Sequence, residues 1–154
     1  MMAKRDVSAI RTHLVEGEIF ALTIDLGAPE SDPIAMVLKD GYDPERWKFT
    51  GVKLVGVHTR RFRLVSVGYC RDLDEVRQKL AEHGTPAEGQ WREAFRKAYP
   101  TPDKNGPIGF ADSSWVDPGG YAVFPYVWTR GGSGFRWTLL GFDGLWRWVV
   151  AVSE

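Results

Sequence analysis

Cysteine is nearly absent from the 154 residues. With Cys70 alone, the chain can form neither an intrachain disulfide nor a zinc site built from several cysteines, and it fits a reducing compartment. A chain of this length buries about two-thirds of the surface that its unfolded form exposes, so it needs no such cross-link. We therefore expect one globular domain over residues 1–154, with no cofactor and no structural metal.

Long apolar runs and an excess of charge of one sign are also absent. No stretch approaches the roughly 20 apolar residues of a membrane-spanning helix, and no apolar segment follows residues 1–6 as in a secretory signal peptide. The 20 basic and 20 acidic side chains cancel, which argues against a chain that coats nucleic acid or an anionic membrane. The sequence thus predicts a small, soluble, cytoplasmic protein with no membrane partner.

The chain lacks the common catalytic and nucleotide-binding motifs. It has no phosphate-binding loop, no dinucleotide-binding glycine fingerprint, no nucleophile elbow and no pair of histidines at metal-ligand spacing. The glycine-rich run 131–134 joins two predicted strands, which is typical of a hairpin loop, and residues 103–106 lack the terminal glutamate of a calcium loop. No motif therefore indicates an enzyme.

Aromatic side chains are what the chain has in excess: they make up 13% of it and include seven tryptophans. Residues 121–153 alternate as three strands, and Asp143-Gly144 is a two-residue hairpin signal between the last two. The loop 131–134 sets Trp128 opposite Trp137. The sequence therefore predicts a three-stranded antiparallel meander with one apolar face. The tryptophans on that face are Trp128, Trp137, Trp146 and Trp148.

The centre of the chain changes to a helical period. Asp72 and Glu75 resemble a capping box, and an apolar stripe runs to Gly84, which predicts a first helix. Thr85-Pro86, with Glu88 following, has the order of signals that opens a second helix, running to residue 99. We expect a helical hairpin over residues 72–99 that covers the apolar face of the meander.

The amino-terminal half predicts further strands. Residues 19–26 are rich in β-formers, and residues 34–38 are a short apolar run between turns. Residues 52–67 fit two strands with a turn at Arg60-Arg61, or one long bent strand. Residues 6–17 fit a helix that ends at Gly17, and a strand fits them nearly as well. The pattern as a whole predicts an α+β fold with an antiparallel sheet, either open or curled into a partly open barrel.

The first functional hypothesis is a non-catalytic interaction protein, that is, a regulator, inhibitor or assembly subunit that binds a protein partner or its own copy. Residues 101–120 form the longest irregular stretch, and such loops are often functional. Loop aromatics are good anchors for a partner, although Trp115 fits the core better, as a lid on the apolar face of the sheet, and Trp47 fits either role. The candidate partner-binding residues are Trp47, Asp112, Trp115, Asp117 and Tyr121.

The second hypothesis is binding of nucleic acid or a nucleotide by a basic cluster. His58, Arg60, Arg61 and Arg63 lie within six residues of one another, and arginine forks suit phosphate. The alternative is a solvated strand edge, where positive charge discourages association.

The third hypothesis is an enzyme or small-ligand pocket that uses His58, Cys70 and Asp112. A thiolate beside an imidazole would supply a nucleophile and its base. The alternative is that Cys70 is a small buried residue, which is common for a free cysteine.

Overall fold

The computed structural model describes residues 16–100, 106–128 and 132–153. Within these ranges the protein is of mixed α+β class, as predicted. The strands are β1 (Ile19–Asp25), β2 (Lys48–Phe49), β3 (Val57–Val65), β4 (Thr85–Pro86), β5 (Ile108–Gly109), β6 (Trp115–Val116), β7 (Ala122–Val127), β8 (Ser133–Trp137) and β9 (Arg147–Ala151). The helices are α1 (Pro33–Lys39), α2 (Leu73–Leu80) and α3 (Arg92–Ala98), with single 3-10 turns at Pro29–Ser31, Pro44–Arg46 and Gly89–Trp91.

The nine strands form one open, mostly antiparallel sheet in the order β1-β3-β9-β5-β7-β6-β2. One edge of β9 pairs with β3, while its other edge is shared by β5, near Arg147, and β4, near Ala151. β5 and β9 pair in parallel, whereas the other pairs among the described strands are antiparallel. β8 pairs with β7 and lies off this path. Within the described ranges the sheet does not close on itself.

Both faces of the sheet centre are buried. Neighbouring residues of a strand point to opposite faces. Leu64 on β3 and Val149 on β9 contribute to one core cluster, whereas Val65 and Val150 contribute to another on the opposite face. β9 therefore supplies side chains to two cores.

The helices α2 and α3 lie on opposite faces of the sheet, so they do not form the predicted hairpin over one face. The apolar stripe of α2, which includes Val76, packs in the cluster of Val150, and Phe95 of α3 packs in the cluster of Val149. The reason is that Thr85–Pro86 pairs with β9 as strand β4 and does not open a helix. This strand carries the chain past β9 to the other face, and α3 begins only at Arg92.

The carboxy-terminal strands do not form the predicted meander. β8 pairs with β7 but sets Trp137 opposite Val123 and not Trp128, while β9 pairs with β3, β4 and β5. The predicted turn is displaced, since the Trp146 N–H donates to the Asp143 carbonyl. These longer-range pairings break the link between β8 and β9.

The four tryptophans of this region consequently separate. Trp146 and Trp148 are buried and stacked, with ring centroids 5.2 Å apart. Trp128 and Trp137 are 46% and 51% exposed. Their prediction as members of one shared core face is therefore wrong, because the shifted register leaves both rings near strand ends.

The remaining expectations have mixed outcomes. Residues 57–65 form one strand, with Arg60-Arg61 inside it and not in a turn, and the apolar run 34–38 belongs to α1. The expectations for residues 6–15, for the calcium-like sequence at 103–105 and for position 131 of the glycine-rich run lie outside the described residues.

Candidate functional site

An open cleft of about 510 Å³ lies where β8 ends, between the loop 41–47 and the turn at Asp117-Pro118. Its volume is within the range of natural ligand-binding clefts. We call it the Trp137 cleft. Its aromatic and charged lining consists of Tyr42, Asp43, Arg46, Trp47, Asp117, Phe135 and Trp137.

Trp137 forms the exposed wall of this cleft. Its indole Nε1–H donates a hydrogen bond to Asp117 Oδ2 at 2.9 Å, and its ring contacts that of Tyr121, with centroids 5.8 Å apart. A side chain that is already held in one orientation loses little conformational entropy on binding. Trp137 is thus both half-exposed and preorganised.

Trp47 and Phe135 form the floor of the cleft. Both are buried, and their ring centroids are 5.2 Å apart. Tyr42 packs on Trp47 at 4.8 Å and remains 40% exposed. Burial and the negative charge of Asp40 raise the pKa of Tyr42, so its hydroxyl is a neutral donor at physiological pH. The floor is therefore rigid and aromatic.

Asp117 holds its turn and Trp137 together. Its Oδ1 accepts hydrogen bonds from the N–H groups of Gly119 (3.0 Å) and Tyr121 (2.9 Å). Burial raises the pKa of this carboxyl, but the hydrogen bonds from Tyr121, the Trp137 indole and Gly119 outweigh burial, so the pKa lies below its ordinary value of 3.8. The carboxylate is charged at neutral pH.

A buried ion pair lies behind the floor. The Arg92 guanidinium is fully buried and donates to both carboxylate oxygens of Asp40, at 2.7 and 3.1 Å. It also donates to the Gly134 carbonyl at 3.1 Å and lies 5.2 Å from the ring centroid of Phe135. Arg92 thereby fixes the start of β8, the strand that carries Phe135 and Trp137.

Glu93 extends this network to the protein surface. It accepts hydrogen bonds from Arg92 Nε and Lys39 Nζ, each at 2.8 Å, and pairs with Arg96 at 3.4 Å. Burial raises the pKa of the Glu93 carboxyl, but the charges of Arg92 and Lys39 and their hydrogen bonds outweigh burial, so the pKa lies below its ordinary value of 4.5. The network links α1, α3 and β8 by charge.

A second open hollow, of about 500 Å³, shares Trp137 with the first. It is lined by residues 120–122 and 137–140, and Tyr121 and Leu139 on its rim are 57% and 76% exposed. We call it the Leu139 hollow. Exposed apolar surface of this kind marks interaction sites in many proteins.

Known family models, curated proteins and solved structures contain no match to this chain. Function must therefore be argued from the geometry of the site.

Three of the five predicted partner-binding residues meet at these two hollows. Trp47 and Asp117 line the Trp137 cleft, and Tyr121 lines the Leu139 hollow. The turn at Asp117 and the end of β8 bring them together, although Trp47 lies 70 positions before Asp117 in the sequence.

The other two predicted partner-binding residues have structural surroundings. Trp115 is fully buried, and its indole donates to the Pro33 carbonyl at 2.9 Å. The Asp112 carboxylate accepts hydrogen bonds from the Gly89 N–H at 2.8 Å and from the Ser114 hydroxyl at 2.5 Å. Neither residue lines the Trp137 cleft or the Leu139 hollow.

The predicted basic cluster is divided between the two faces of the sheet. His58 and Arg60 point to the face of α3, while Arg61 and Arg63 point to the face of α2, because all four lie on one continuous strand. Arg60 also pairs with Glu88 at 3.2 Å. The nucleic-acid hypothesis thereby loses the contiguous patch on which it rests.

His58, Cys70 and Asp112 do not converge. Cys70 is fully buried in the cluster under α2, on the face opposite His58, and burial raises the pKa of its thiol. The His58 Nε2–H donates to the Val55 carbonyl at 2.8 Å. No described imidazole activates Cys70, so the geometry lends the enzyme hypothesis no nucleophile–base pair.

Residues 16–100, 106–128 and 132–153 contain no group of three or more histidine, cysteine, aspartate or glutamate side chains placed to hold a metal ion. They also contain no helix with the length and apolar character that crossing a membrane requires.

Sequence reasoning missed the residues that complete the site. The sequence alone gives Tyr42, Asp43 and Arg46 no role, and it predicts that Trp137 lies in the core. One signal was available: the sequence Gly-Tyr-Asp-Pro at positions 41–44 is a turn that ends three residues before Trp47. An aromatic residue inside a turn is more often exposed than one inside a strand.

Proposed function

We propose that this protein is a non-catalytic interaction protein that binds a protein partner through the Trp137 cleft and the Leu139 hollow. The observation that carries the proposal is Trp137 itself. It is half-exposed, it is held by Asp117 and Tyr121, and it lies between two open hollows. Fixed tryptophans at the centre of an apolar surface are typical energetic hot spots of protein interfaces.

The shape of the surface favours a protein over a small molecule. The two hollows have about equal volume and share one wall, so a single occupant of both must be extended and must straddle Trp137. The exposed side chains of Tyr121 and Leu139 continue the apolar surface beyond the cleft. Charged groups lie at one side of this surface, as in the polar rim of an interface.

Affinity capture from the source cells would test this function. The tagged wild-type chain is compared with the Trp137→Ala variant, and captured proteins are quantified by mass spectrometry. We expect a partner that the wild-type chain retains and that Trp137→Ala loses at least tenfold, the effect of a hot spot of about 2 kcal/mol. If Trp137→Ala captured the same proteins as the wild type, the proposal would fail.

The matched control is Trp128→Ala. Trp128 has a similar exposed fraction, 46%, but it follows the end of β7, its indole N–H donates to the Tyr126 hydroxyl, and it lines neither the Trp137 cleft nor the Leu139 hollow. We expect this variant to capture the partner as the wild-type chain does.

Sedimentation of the purified chain at increasing concentration would show whether the partner is a second copy. In that case the wild-type chain associates with itself, and Trp137→Ala abolishes the association.

A further inference from the structure

The charges at the Trp137 cleft favour a cation. Its lining carries two carboxylates, Asp43 and Asp117, against one guanidinium, Arg46, so the net charge is negative. The face of an indole ring also attracts cations, and tryptophan does so best among the aromatic side chains. An anionic side chain would meet two like charges, which costs binding energy.

Asp43 is the carboxylate available to a ligand. Its Oδ1 accepts a hydrogen bond from the Glu45 N–H at 3.0 Å, and no other described residue donates to it. Asp117, by contrast, is engaged at both oxygens by Gly119, Tyr121 and Trp137. A cation in the cleft would therefore pair directly with Asp43, while the negative charge of Asp117 attracts it without a direct hydrogen bond.

The backbone of Trp137, the exposed last residue of β8, favours an extended occupant. On either side of β8, the Thr138 N–H donates to the Ala122 carbonyl and the Trp128 N–H to the Gly132 carbonyl. Because this hydrogen bonding alternates along a strand, the even-numbered residues within β8 form its hydrogen bonds to β7. The backbone N–H and C=O of Trp137 consequently point away from β7. Within the described ranges no strand pairs with that edge. Such an edge can accept a strand from another chain.

We propose that the partner contributes an extended segment with one lysine or arginine beside apolar residues. This inference rests on the proposed function. The basic side chain lies over Trp137 and pairs with Asp43, and an apolar neighbour enters the Leu139 hollow. Arg46 at the cleft disfavours a run of basic residues, so the segment carries a single cation there.

Three synthetic peptides test the chemistry without the natural partner. They are acetylated and amidated Thr-Val-Arg-Val-Thr and the same peptide with Gln or Glu in place of Arg. The probe signal is the indole N–H resonance of Trp137 in a nitrogen-15 NMR spectrum, assigned by its loss in Trp137→Phe. We expect the Arg peptide to bind roughly fivefold more tightly than the Gln peptide, as an exposed ion pair with a cation–π contact allows.

Two variants locate the charge. Asp43→Asn keeps an oxygen that can cap Glu45 but removes the negative charge, so it should weaken the Arg peptide about fivefold and leave the Gln peptide unchanged. Asp74→Asn is the control, because Asp74 is an exposed carboxylate on α2, on the other face of the sheet. It should leave both affinities unchanged.

Failure of this inference differs from failure of the proposed function. Equal affinity for the Arg, Gln and Glu peptides, or no shift of the Trp137 resonance with any of them, overturns the inference. In the capture experiment, a partner lost by Trp137→Ala and retained in full by Asp43→Asn overturns the inference and upholds the function. A partner retained by both variants overturns both proposals.

Discussion

The buried guanidinium of Arg92 compensates the negative charges of the buried Asp40 and Glu93 carboxylates. Replacing it with methionine would leave the Asp40 and Glu93 carboxylates, 1% and 3% exposed, without their central cation. Uncompensated buried charge is costly. We expect Arg92→Met to lower the free energy of unfolding by about 3–5 kcal/mol, measured by urea denaturation at pH 7.

The control for this change is Arg71→Met. Arg71 is 71% exposed and pairs with Asp72 and Glu75 at 3.7 and 3.8 Å. Exposed pairs contribute about 0–1 kcal/mol, so we expect a small effect. A similar loss in both variants would show that the Arg92 network is not the source of the stability.

Glu93 should make the stability depend on pH. Its pKa in the folded protein lies below the ordinary value of 4.5, so the unfolded chain takes up its proton at a higher pH than the folded chain does. The stability that Glu93 contributes is therefore complete above pH 4.5 and is lost as the pH falls through the folded pKa. We expect urea denaturation between pH 3 and 7 to show this loss.

Glu93→Gln is the test of that assignment. The variant has no carboxyl to protonate at this position, so its stability should fall less steeply with decreasing pH than that of the wild type, even if it is lower at pH 7. An unchanged slope would assign the acid sensitivity to other carboxyls with lowered pKa values, Asp32 and Asp117.

At the scale of an element, the local sequence pattern and the packing of the fold predict opposite effects for a substitution in the connection between β4 and α3. If Gly89 lay in the first turn of a helix, it would lower the stability of that helix by about 1 kcal/mol relative to alanine. Gly89→Ala would then stabilise the protein. In the structure, a Cβ at Gly89 would lie 2.5 Å from the Trp115 ring and 2.6 Å from Pro125. We therefore expect Gly89→Ala to destabilise the protein by about 1–3 kcal/mol, as overpacking does.

Gly132→Ala is the matched control, because among the described residues a Cβ there would meet Trp128 Cβ alone, at 3.9 Å. We expect its free energy of unfolding to change by less than about 0.5 kcal/mol. Urea denaturation of the two variants decides between the predictions. A stabilised Gly89→Ala would favour the helix that the sequence alone suggests.

The same contrast explains how much of the fold is predictable. The strand predicted over residues 19–26 forms over Ile19–Asp25, and α2 has the predicted buried stripe, since β-rich composition and helical spacing are local signals. The pairing of β9 with β3, β4 and β5 was not, because it joins segments up to 89 positions apart and no short-range signal encodes it.

The site follows the same rule. Trp47, Asp117 and Tyr121 were recognisable as loop residues, but the exposure of Trp137 depends on the register between β7 and β8. The observed register is shifted from the predicted one by an odd number of residues. The side chains of β8 that the predicted register places on one face of the sheet, relative to β7, therefore lie on the other face.

At the scale of the whole molecule, β9 joins the two faces of the sheet. Val149 packs in the core under α3, while Trp148 and Val150 pack in the core under α2. Loss of this strand from the sheet would expose both cores at once. The two faces should therefore unfold together.

Cys70 allows that cooperativity to be measured. It is fully buried in the core under α2, and a buried thiol with a raised pKa reacts with a thiol reagent only after the surrounding structure opens. Far-ultraviolet circular dichroism follows the helices and strands of both faces, including α3, which packs Phe95 beside Phe110 on the other face. If β9 couples the two cores, the extent of Cys70 labelling and the circular dichroism should follow one transition in urea, with equal midpoints.

Arg92→Met, which acts on the face of α3, should shift both midpoints by the same amount. Labelling of Cys70 at a lower urea concentration than the loss of circular dichroism would show that the α2 face opens alone.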